Sequence, residues 1–177
     1  MIIWLFIPKG VLMIKGLIAT AALLAAFSGT ANAQMVSAQN PASVLKALQG
    51  TGYGAELTKD SKGDPIIKSA SSGIDFSILF YGCAKNANCS TIQFFAGFKK
   101  PKNGSLRAMN EWNRKNRFSR GYIADTGSAW IEFDLDLYSD GMSTKLFGDN
   151  LGFWVLGLAR YKAFVTNIPK SKPVSKR

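Results

Sequence analysis

The residues best suited to chemistry in this sequence are three acids at alternate positions, Glu132, Asp134 and Asp136. Alternate residues of a β-strand point to the same side, so the three carboxylates would share one face of a sheet. There they could bind a cation or act as an acid/base pair. The same pattern is required of a half-buried strand on its solvent side, where Arg120 could pair with the acids. We favour the solvated strand face and keep the carboxylate site as an alternative.

A second candidate is a group of cationic residues around one tryptophan, between positions 112 and 120. Aromatic rings beside arginines can recognise an anionic or glycan ligand. Trp112 also falls on the apolar stripe of a predicted helix, which favours a core tryptophan beside a solvated helix end. The ligand candidates from these two groups are Trp112, Asn113, Arg117, Arg120 and Asp134.

The chain contains no histidine and two cysteines, Cys83 and Cys89. Without histidine it cannot build a Ser-His-Asp or Cys-His catalytic set, nor the commonest kind of zinc site. Two cysteines alone cannot complete a structural zinc site. In a chain bound for an oxidising compartment they are expected to pair as a disulfide. We therefore predict no catalytic residues, no metal and no cofactor.

The N-terminal residues have the order of a secretory signal peptide. Two lysines accompany an apolar run from Gly16 to Phe27, and small residues up to Ala33 follow it. This order predicts a signal at residues 1–33, cleaved after Ala33, and a periplasmic or secreted protein. The run is too short for the roughly 20 apolar residues of a spanning helix. A complete signal also begins at Met13, so either Met1 or Met13 could be the true start.

The rest of the chain fits one domain between two short terminal segments. We predict a flexible N-terminus at 34–40, a folded domain at 41–166 and a disordered basic tail at 167–177. Lys and Arg number 22 against 11 acids, a formal net charge of +11. Such an excess can indicate nucleic-acid binding, but an exported chain meets little of it. Weak contact of the tail with an anionic membrane surface is the functional alternative to simple solubility.

The central hairpin has a register that two independent features predict. If Cys83 faces Cys89, a set of apolar residues pairs on the inner face: Phe80–Ile92, Ile78–Phe94, Phe76–Ala96 and Ile74–Phe98. A slip of one residue would send these side chains to opposite faces. On the outer face Leu79, Tyr81 and Phe95 are apolar where polar residues are expected. Such a patch is typical of a partner surface or dimer interface, unless another element covers it.

Helical periodicity and capping residues predict three helices. Pro41 opens the first, which stops at Gly50, and Ser105 can cap a second that runs to Lys115 with Leu106, Met109 and Trp112 buried. Ser143 can cap the longest helix, which runs to roughly Val165. The apolar set of this last helix is Leu146, Phe147, Leu151, Trp154, Val155, Leu158, Tyr161 and Val165.

Two further hairpins complete the predicted elements. The first joins strands near 55–58 and 66–69. In the last, matching Ile123 with Ile131 places a three-residue loop at 126–128 and sets Arg120 beside Asp134. The resulting order is α-β-β-β-β-α-β-β-α. Short links make the sheet antiparallel, which predicts an α+β two-layer fold with the helices on one face.

The sequence resembles a bacterial family known as YbjN, described as "putative sensory transduction regulators". The likeness covers roughly residues 41–165, and the Asn-x-Trp-Asn stretch at 110–113 is its most distinctive part. The other residues that match are Val44 to Gly50 with Gly52-Tyr53, Asp64-Pro65, Phe80 to Cys83, Phe94 to Phe98, Arg117-Phe118 and Met142-Ser143. The resemblance implies a fold similar to type III secretion chaperones and no catalytic residues. The leader and the cysteine pair indicate a secreted subgroup.

These observations favour a non-catalytic periplasmic binding or chaperone-like module of the sensory or regulatory kind. It would hold a protein partner, or a second copy of itself, on the open sheet face or the long helix. Two alternatives stay open. One is a small-ligand receptor or unrecognised enzyme that uses the outward carboxylate strand face, and the other is adhesion to the cell envelope through the basic tail.

Overall fold

A computed structural model describes residues 35–168 of the chain and folds them into three helices and a six-stranded antiparallel sheet. The elements in chain order are β1 (Met35–Val36), α1 (Pro41–Gly50), β2 (Ala55–Lys59), β3 (Pro65–Ser71), β4 (Ile74–Tyr81), β5 (Thr91–Phe98), α2 (Leu106–Lys115), β6 (Arg120–Ile123), β7 (Ala129–Asp136), β8 (Met142–Ser143) and α3 (Thr144–Thr166). The sheet order is β2-β3-β4-β5-β7-β6. The predicted α+β class is confirmed.

The central hairpin has the predicted register over most of its length. Phe80 pairs with Ile92 and Ile78 with Phe94, and Cys83 is joined to Cys89 by a disulfide. The ladder stops at Ser77–Phe95, so the two further predicted pairs, Phe76–Ala96 and Ile74–Phe98, are wrong. Beyond this point β4 stays paired with β3 and β5 stays paired with β7. The sheet therefore opens between its two central strands.

The register predicted for the last hairpin is wrong by two residues. Arg120 pairs with Glu132 and Ile123 with Ala129, and the three-residue loop lies at 125–127, where Gly127 has a φ of +83°. A shift of two residues keeps every side chain on its own face. The hydrophobic pattern therefore could not distinguish the two registers.

The terminal segments are more ordered than we predicted. Residues 35–40 were expected to be flexible, but β1 pairs with β8, and Val36 and Ala38 are fully buried. At the other end, Ile168 is buried and its carbonyl accepts a hydrogen bond of 2.6 Å from Asn103 Nδ2. The predicted signal peptide and the tail from residue 169 onward lie outside the described residues.

The long helix α3 supplies the largest side chains of the core. Trp154 is fully buried, and its ring centroid lies 5.5 Å from that of Phe94 and 5.7 Å from that of Phe76, both on the inner face of the sheet. Ser143 caps the helix by accepting a bond from Leu146 N, and Ser105 caps α2 by accepting one from Ala108 N.

Two leucines that we predicted to be buried are exposed, Leu106 at 75% and Leu146 at 50%. Both lie in the first turn of a helix, on the side that faces away from the core, whereas Met109 and Phe147 point inward. Met109, Trp112 and Phe147 are buried as predicted.

The disulfide gives a first testable prediction. Replacing Cys83 and Cys89 together by Ser should lower the free energy of unfolding by about 2 kcal/mol, the chain entropy released when so short a loop is no longer closed. Urea denaturation of the oxidised wild type and of the double variant measures the difference. Wild type treated with reductant is the control and should match the variant. Equal stability of oxidised wild type and variant would contradict the prediction.

Candidate functional site

One face of the six-stranded sheet packs on the helices, and the opposite face brings together residues that we predicted separately. We call this opposite side the outer sheet face. It is formed on the four strands β4, β5, β7 and β6 by Leu79, Tyr81, Gln93, Phe95, Trp130, Glu132, Asp134, Asp136, Arg120 and Tyr122. The predicted partner surface (Leu79, Tyr81, Phe95) thus lies on the same face as two predicted ligand candidates, Arg120 and Asp134. Tyr81 is 46% exposed and Tyr122 is 37% exposed.

A connected polar network crosses the middle of this face. Arg120 Nη2 lies 2.7 Å from Glu132 Oε2 and 3.7 Å from Asp134 Oδ2. Gln93 Nε2 donates a bond of 2.7 Å to Asp134 Oδ1, and Tyr81 OH donates one of 3.2 Å to Gln93 Oε1. The network links strands β6, β7, β5 and β4, so it holds these side chains in fixed positions.

Two members of the network, Gln93 and Glu132, are buried, although they lie on the face opposite the one on which the helices of residues 35–168 pack. We predicted Glu132 to be solvated, and this is wrong, because its side chain is only 9% exposed and is held by the Arg120 guanidinium of the neighbouring strand. Burial and a hydrogen bond with Glu132 raise the pKa of Tyr122 to about 12. Burial, with the nearby charges of Glu132 and Asp134, also raises the pKa of Tyr81. Both phenols therefore remain neutral hydrogen-bond donors at physiological pH.

The three acids predicted as a possible cation site are each engaged with another group of this chain. Glu132 accepts from Arg120, Asp134 accepts from Gln93, and Asp136 Oδ1 accepts from the Tyr138 backbone N–H at 2.9 Å. Within residues 35–168 no three His, Cys, Asp or Glu side chains are grouped so that they could hold a metal ion. The arrangement favours a structural, ion-paired strand face.

Beside the network, Phe95 and Trp130 form a pair of stacked aromatic rings that no local sequence pattern predicts. The centroids of Phe95 and Trp130 are 4.6 Å apart with the planes 17° from parallel. The benzo ring of Trp130 lies directly over Gly97, where a Cβ atom would come within 2.3 Å of it, so only glycine leaves room. Trp130 stands two residues before Glu132, and strand alternation alone could have placed it on this face.

An open cavity of about 680 Å³ adjoins the stacked rings at the point where β4 and β5 diverge. Phe95 and Trp130 line it together with charged and hydroxyl side chains, among them Lys68, Lys99, Asp75, Ser77 and Ser128. Its volume is within the range of sites that bind small molecules or partner side chains. The cavity extends the outer sheet face toward β3.

The remaining ligand candidates, Trp112, Asn113 and Arg117, are not part of this face. Trp112 is 5% exposed and packs edge-on against Tyr161 at 5.0 Å. Asn113 Nδ2 donates to Gly121 O at 3.1 Å, and Asn113 Oδ1 accepts from Gly121 N at 2.8 Å, so this side chain fastens α2 to β6. Arg117 lies elsewhere, with its guanidinium 4.8 Å from the centre of the Phe118 ring.

Comparisons with known proteins agree on one relationship. The family model YbjN, described as "Putative bacterial sensory transduction regulator", matches residues 40–166. The crystal structure of YbjN from E. coli, described as "a putative transcription regulator", is similar with a TM-score of 0.52 and 12% sequence identity. The similarity covers 76% of this chain and 99% of that one, and at this identity it shows the fold. No curated protein matches the sequence.

The polar network gives a second prediction. Arg120→Ala should lower the free energy of unfolding by about 1–3 kcal/mol, because it leaves the buried Glu132 carboxylate without its cation. Adding Glu132→Gln to this variant should recover part of the loss, since a neutral amide is less costly to bury than an unpaired charge. Urea denaturation measures both effects.

The matched control for this experiment is Arg107→Ala, which removes an exposed arginine of α2. Its stability should stay within about 0.5 kcal/mol of wild type. If Arg120→Ala is as stable as this control, the network does not hold the outer sheet face together.

Proposed function

The chain belongs to the YbjN family, and from this membership and the geometry of the outer sheet face we propose that it is a non-catalytic regulatory module that binds a protein partner there after export from the cytosol. The family assignment indicates a regulatory or binding role. The stacked Phe95–Trp130 pair beside a fixed polar network is the observation that favours a protein as the partner.

The composition of the outer sheet face supports this proposal. Aromatic side chains and arginine are enriched at protein interfaces and dominate their energetics. Here Tyr81, Tyr122, Trp130 and Phe95 lie around Arg120 on neighbouring strands. Their positions are already fixed by ring stacking and by the network, so little side-chain entropy would be lost on binding.

The cavity between β4 and β5 supports a particular mode of contact. A large apolar side chain of the partner would lie against Phe95 and Trp130, which line one side of the cavity. Lys68 and Lys99 would attract acidic groups of the partner next to that side chain. Asp75 would repel such groups where it lines the cavity. An apolar anchor flanked by polar contacts is the usual arrangement of a binding hot spot.

The absence of histidine from the whole sequence supports the non-catalytic part of the proposal. The acids of the outer sheet face are paired within the chain, and Trp112 and Asn113 have structural roles. The alternative of an enzyme or receptor that uses the carboxylate strand face therefore has less support than partner binding.

Export is supported by the signal-like order of residues 1–33 and by the Cys83–Cys89 disulfide. Disulfides form and persist in oxidising compartments such as the periplasm. Among the residues that the structure describes, no helix combines the length and apolar character needed to cross a membrane.

In-cell photocrosslinking tests partner binding. A photoreactive phenylalanine analogue replaces Tyr81, and the same analogue at Leu106, exposed on α2, is the matched control. We expect a specific crosslink to one partner protein from position 81 and none from position 106. If a second copy of this chain is the only crosslinked product, the bound protein is another copy and the module is a homodimer. Equal crosslinking from both positions would contradict the proposal.

A substitution series tests the role of the aromatic pair. Trp130→Ala in the position-81 crosslinking chain should reduce the specific crosslink about tenfold or more, as expected for a hot-spot side chain. Leu106→Ala is the control and should leave it unchanged. Circular dichroism confirms that each variant is folded. An undiminished crosslink in a folded Trp130→Ala variant would show that this pair is not the contact.

Export makes a separate prediction that does not depend on the partner. Expressed in its native host, the protein should be recovered from the periplasm or the medium with Gln34 as its first residue and without free thiols. Mass spectrometry of the intact, alkylated protein checks both points. A cytosolic product that retains Met1 or Met13 and carries two free thiols would contradict export.

A further inference from the structure

A second cavity lies on the helix side of the domain, where the segment between α2 and β6 crosses α3. Its volume is about 280 Å³. Phe118, Phe153 and Leu156 give it an apolar wall, and Lys115, Arg117 and Arg160 surround it with cations. We propose that this cavity binds a small anionic amphiphile, a molecule with a phosphate or carboxylate group attached to an apolar body.

The apolar wall is an exposed stack of two phenyl rings. The centroids of Phe118 and Phe153 are 4.3 Å apart and their planes are 13° from parallel. Both side chains are more than 40% exposed, at 44% and 45%, and the adjacent Leu156 is 49% exposed. Large apolar side chains grouped in this way on a surface mark a binding site more often than isolated ones do.

The residues that α3 contributes to this wall lie together on one side of the helix. Phe153, Leu156, Gly157 and Arg160 have helical spacing and form a stripe separate from the buried one that contains Trp154, Leu158 and Tyr161. Gly157 allows the crossing segment to approach, because a Cβ atom there would lie 3.3 Å from Ser119 Oγ. The wall is therefore built from two segments packed against each other.

The crossing segment has an unusual backbone at the residue that completes the stack. Phe118 has a φ of +63°, in the left-handed region that non-glycine residues rarely adopt. Next to it, the Ser119 hydroxyl is buried without a hydrogen-bond partner in the described structure. Strained residues cluster at active sites and ligand clamps, and a buried hydroxyl without a partner beside one adds a group that a ligand could satisfy.

The charges around the cavity determine the sign of the ligand. No acidic side chain of the described residues lines it. Lys115 is paired with Glu111 at 2.8 Å, but Arg117 and Arg160 have no carboxylate partner within residues 35–168. The Arg117 guanidinium already lies over the Phe118 ring. An anionic group beside the stacked rings would meet two arginines, whose planar donors suit phosphate and carboxylate.

Wall and charges together determine the class of ligand. The phenyl stack and Leu156 would make no favourable contact with an inorganic anion. The arginines would repel a cationic amphiphile, and a neutral amphiphile would leave them unpaired. A single-chain phospholipid and a free aryl acid share the required chemistry. This site is separate from the outer sheet face, so the inference does not rest on the function proposed above.

Isothermal titration calorimetry of the purified mature chain with decyl phosphate, below its critical micelle concentration, tests the proposal. We expect saturable 1:1 binding at least tenfold tighter than that of decyltrimethylammonium or inorganic phosphate. Comparable binding of all three probes, or binding of inorganic phosphate as tightly as decyl phosphate, would overturn it. Binding to anionic vesicles without binding to monomeric decyl phosphate would also overturn it, in favour of a membrane-surface contact.

Two variants assign the binding to this cavity. Arg117→Gln with Arg160→Gln removes the unpaired cations at exposed positions and should weaken decyl phosphate binding at least tenfold. Phe153→Ala should do the same by removing half of the phenyl stack. Arg107→Gln and Leu106→Ala on α2 are the matched controls and should bind as wild type. If the arginine variant, folded by circular dichroism, binds as tightly as these controls, the site is not here.

Comparison of two further probes identifies the source of the ligand once binding is established. Lysophosphatidylglycerol carries a lipid acyl chain, and phenyl phosphate carries only one ring. Tighter binding of the first supports a lipid-derived ligand of the proposed class, and tighter binding of the second supports a free aryl acid of that class. Failure of both to compete with decyl phosphate would count against the cavity as a physiological site.

Discussion

The alignment of the two central strands is the constraint on which the rest of the structure depends. The Cys83–Cys89 bond closes one end of the hairpin, and the inner pairs Phe80–Ile92 and Ile78–Phe94 fix the same register. This register turns Leu79, Tyr81 and Phe95 outward and directs Phe94 toward α3. Beyond the pair Ser77–Phe95 the two strands separate, and β4 stays paired with β3 while β5 stays paired with β7. The core, the outer sheet face and its cavity all follow from this one alignment.

How much of the fold the sequence could predict depended on the kind of information that each element contains. Helix ends were predictable where a serine cap or Pro41 marked them, and strand faces where apolar and polar residues alternate. The register of β6 on β7 was not, because a shift of two residues preserves the alternation that served as the guide. The ordered structure of residues 35–40 was not predictable either, because its two-residue strand is stabilised by a partner strand distant in sequence, Met142–Ser143.

The candidate site was predictable in its parts and not in its assembly. Tyr81 and Phe95 were recognised as outward apolar residues, and Arg120 and Asp134 as charged neighbours. Gln93 connects Tyr81 to Asp134 through hydrogen bonds, and these bonds form only when four strands are packed side by side. No local sequence pattern encodes that packing. Trp112 and Asn113 have the composition of a ligand site but serve the core and the β6 attachment. Residue type alone could not separate these roles: the apolar stripe of α2 favoured a core position for Trp112, but no local pattern indicated that Asn113 bonds to Gly121.

The attachment of Asn113 to Gly121 also bears on how the molecule avoids aggregation. Strand β6 is the last strand on its side of the sheet, and an exposed last strand is a template on which another chain can add. The Asn113 amide occupies both the donor and the acceptor of Gly121, as the backbone of an added strand would. Addition of another strand at this position of β6 is therefore opposed by a side chain of the same molecule.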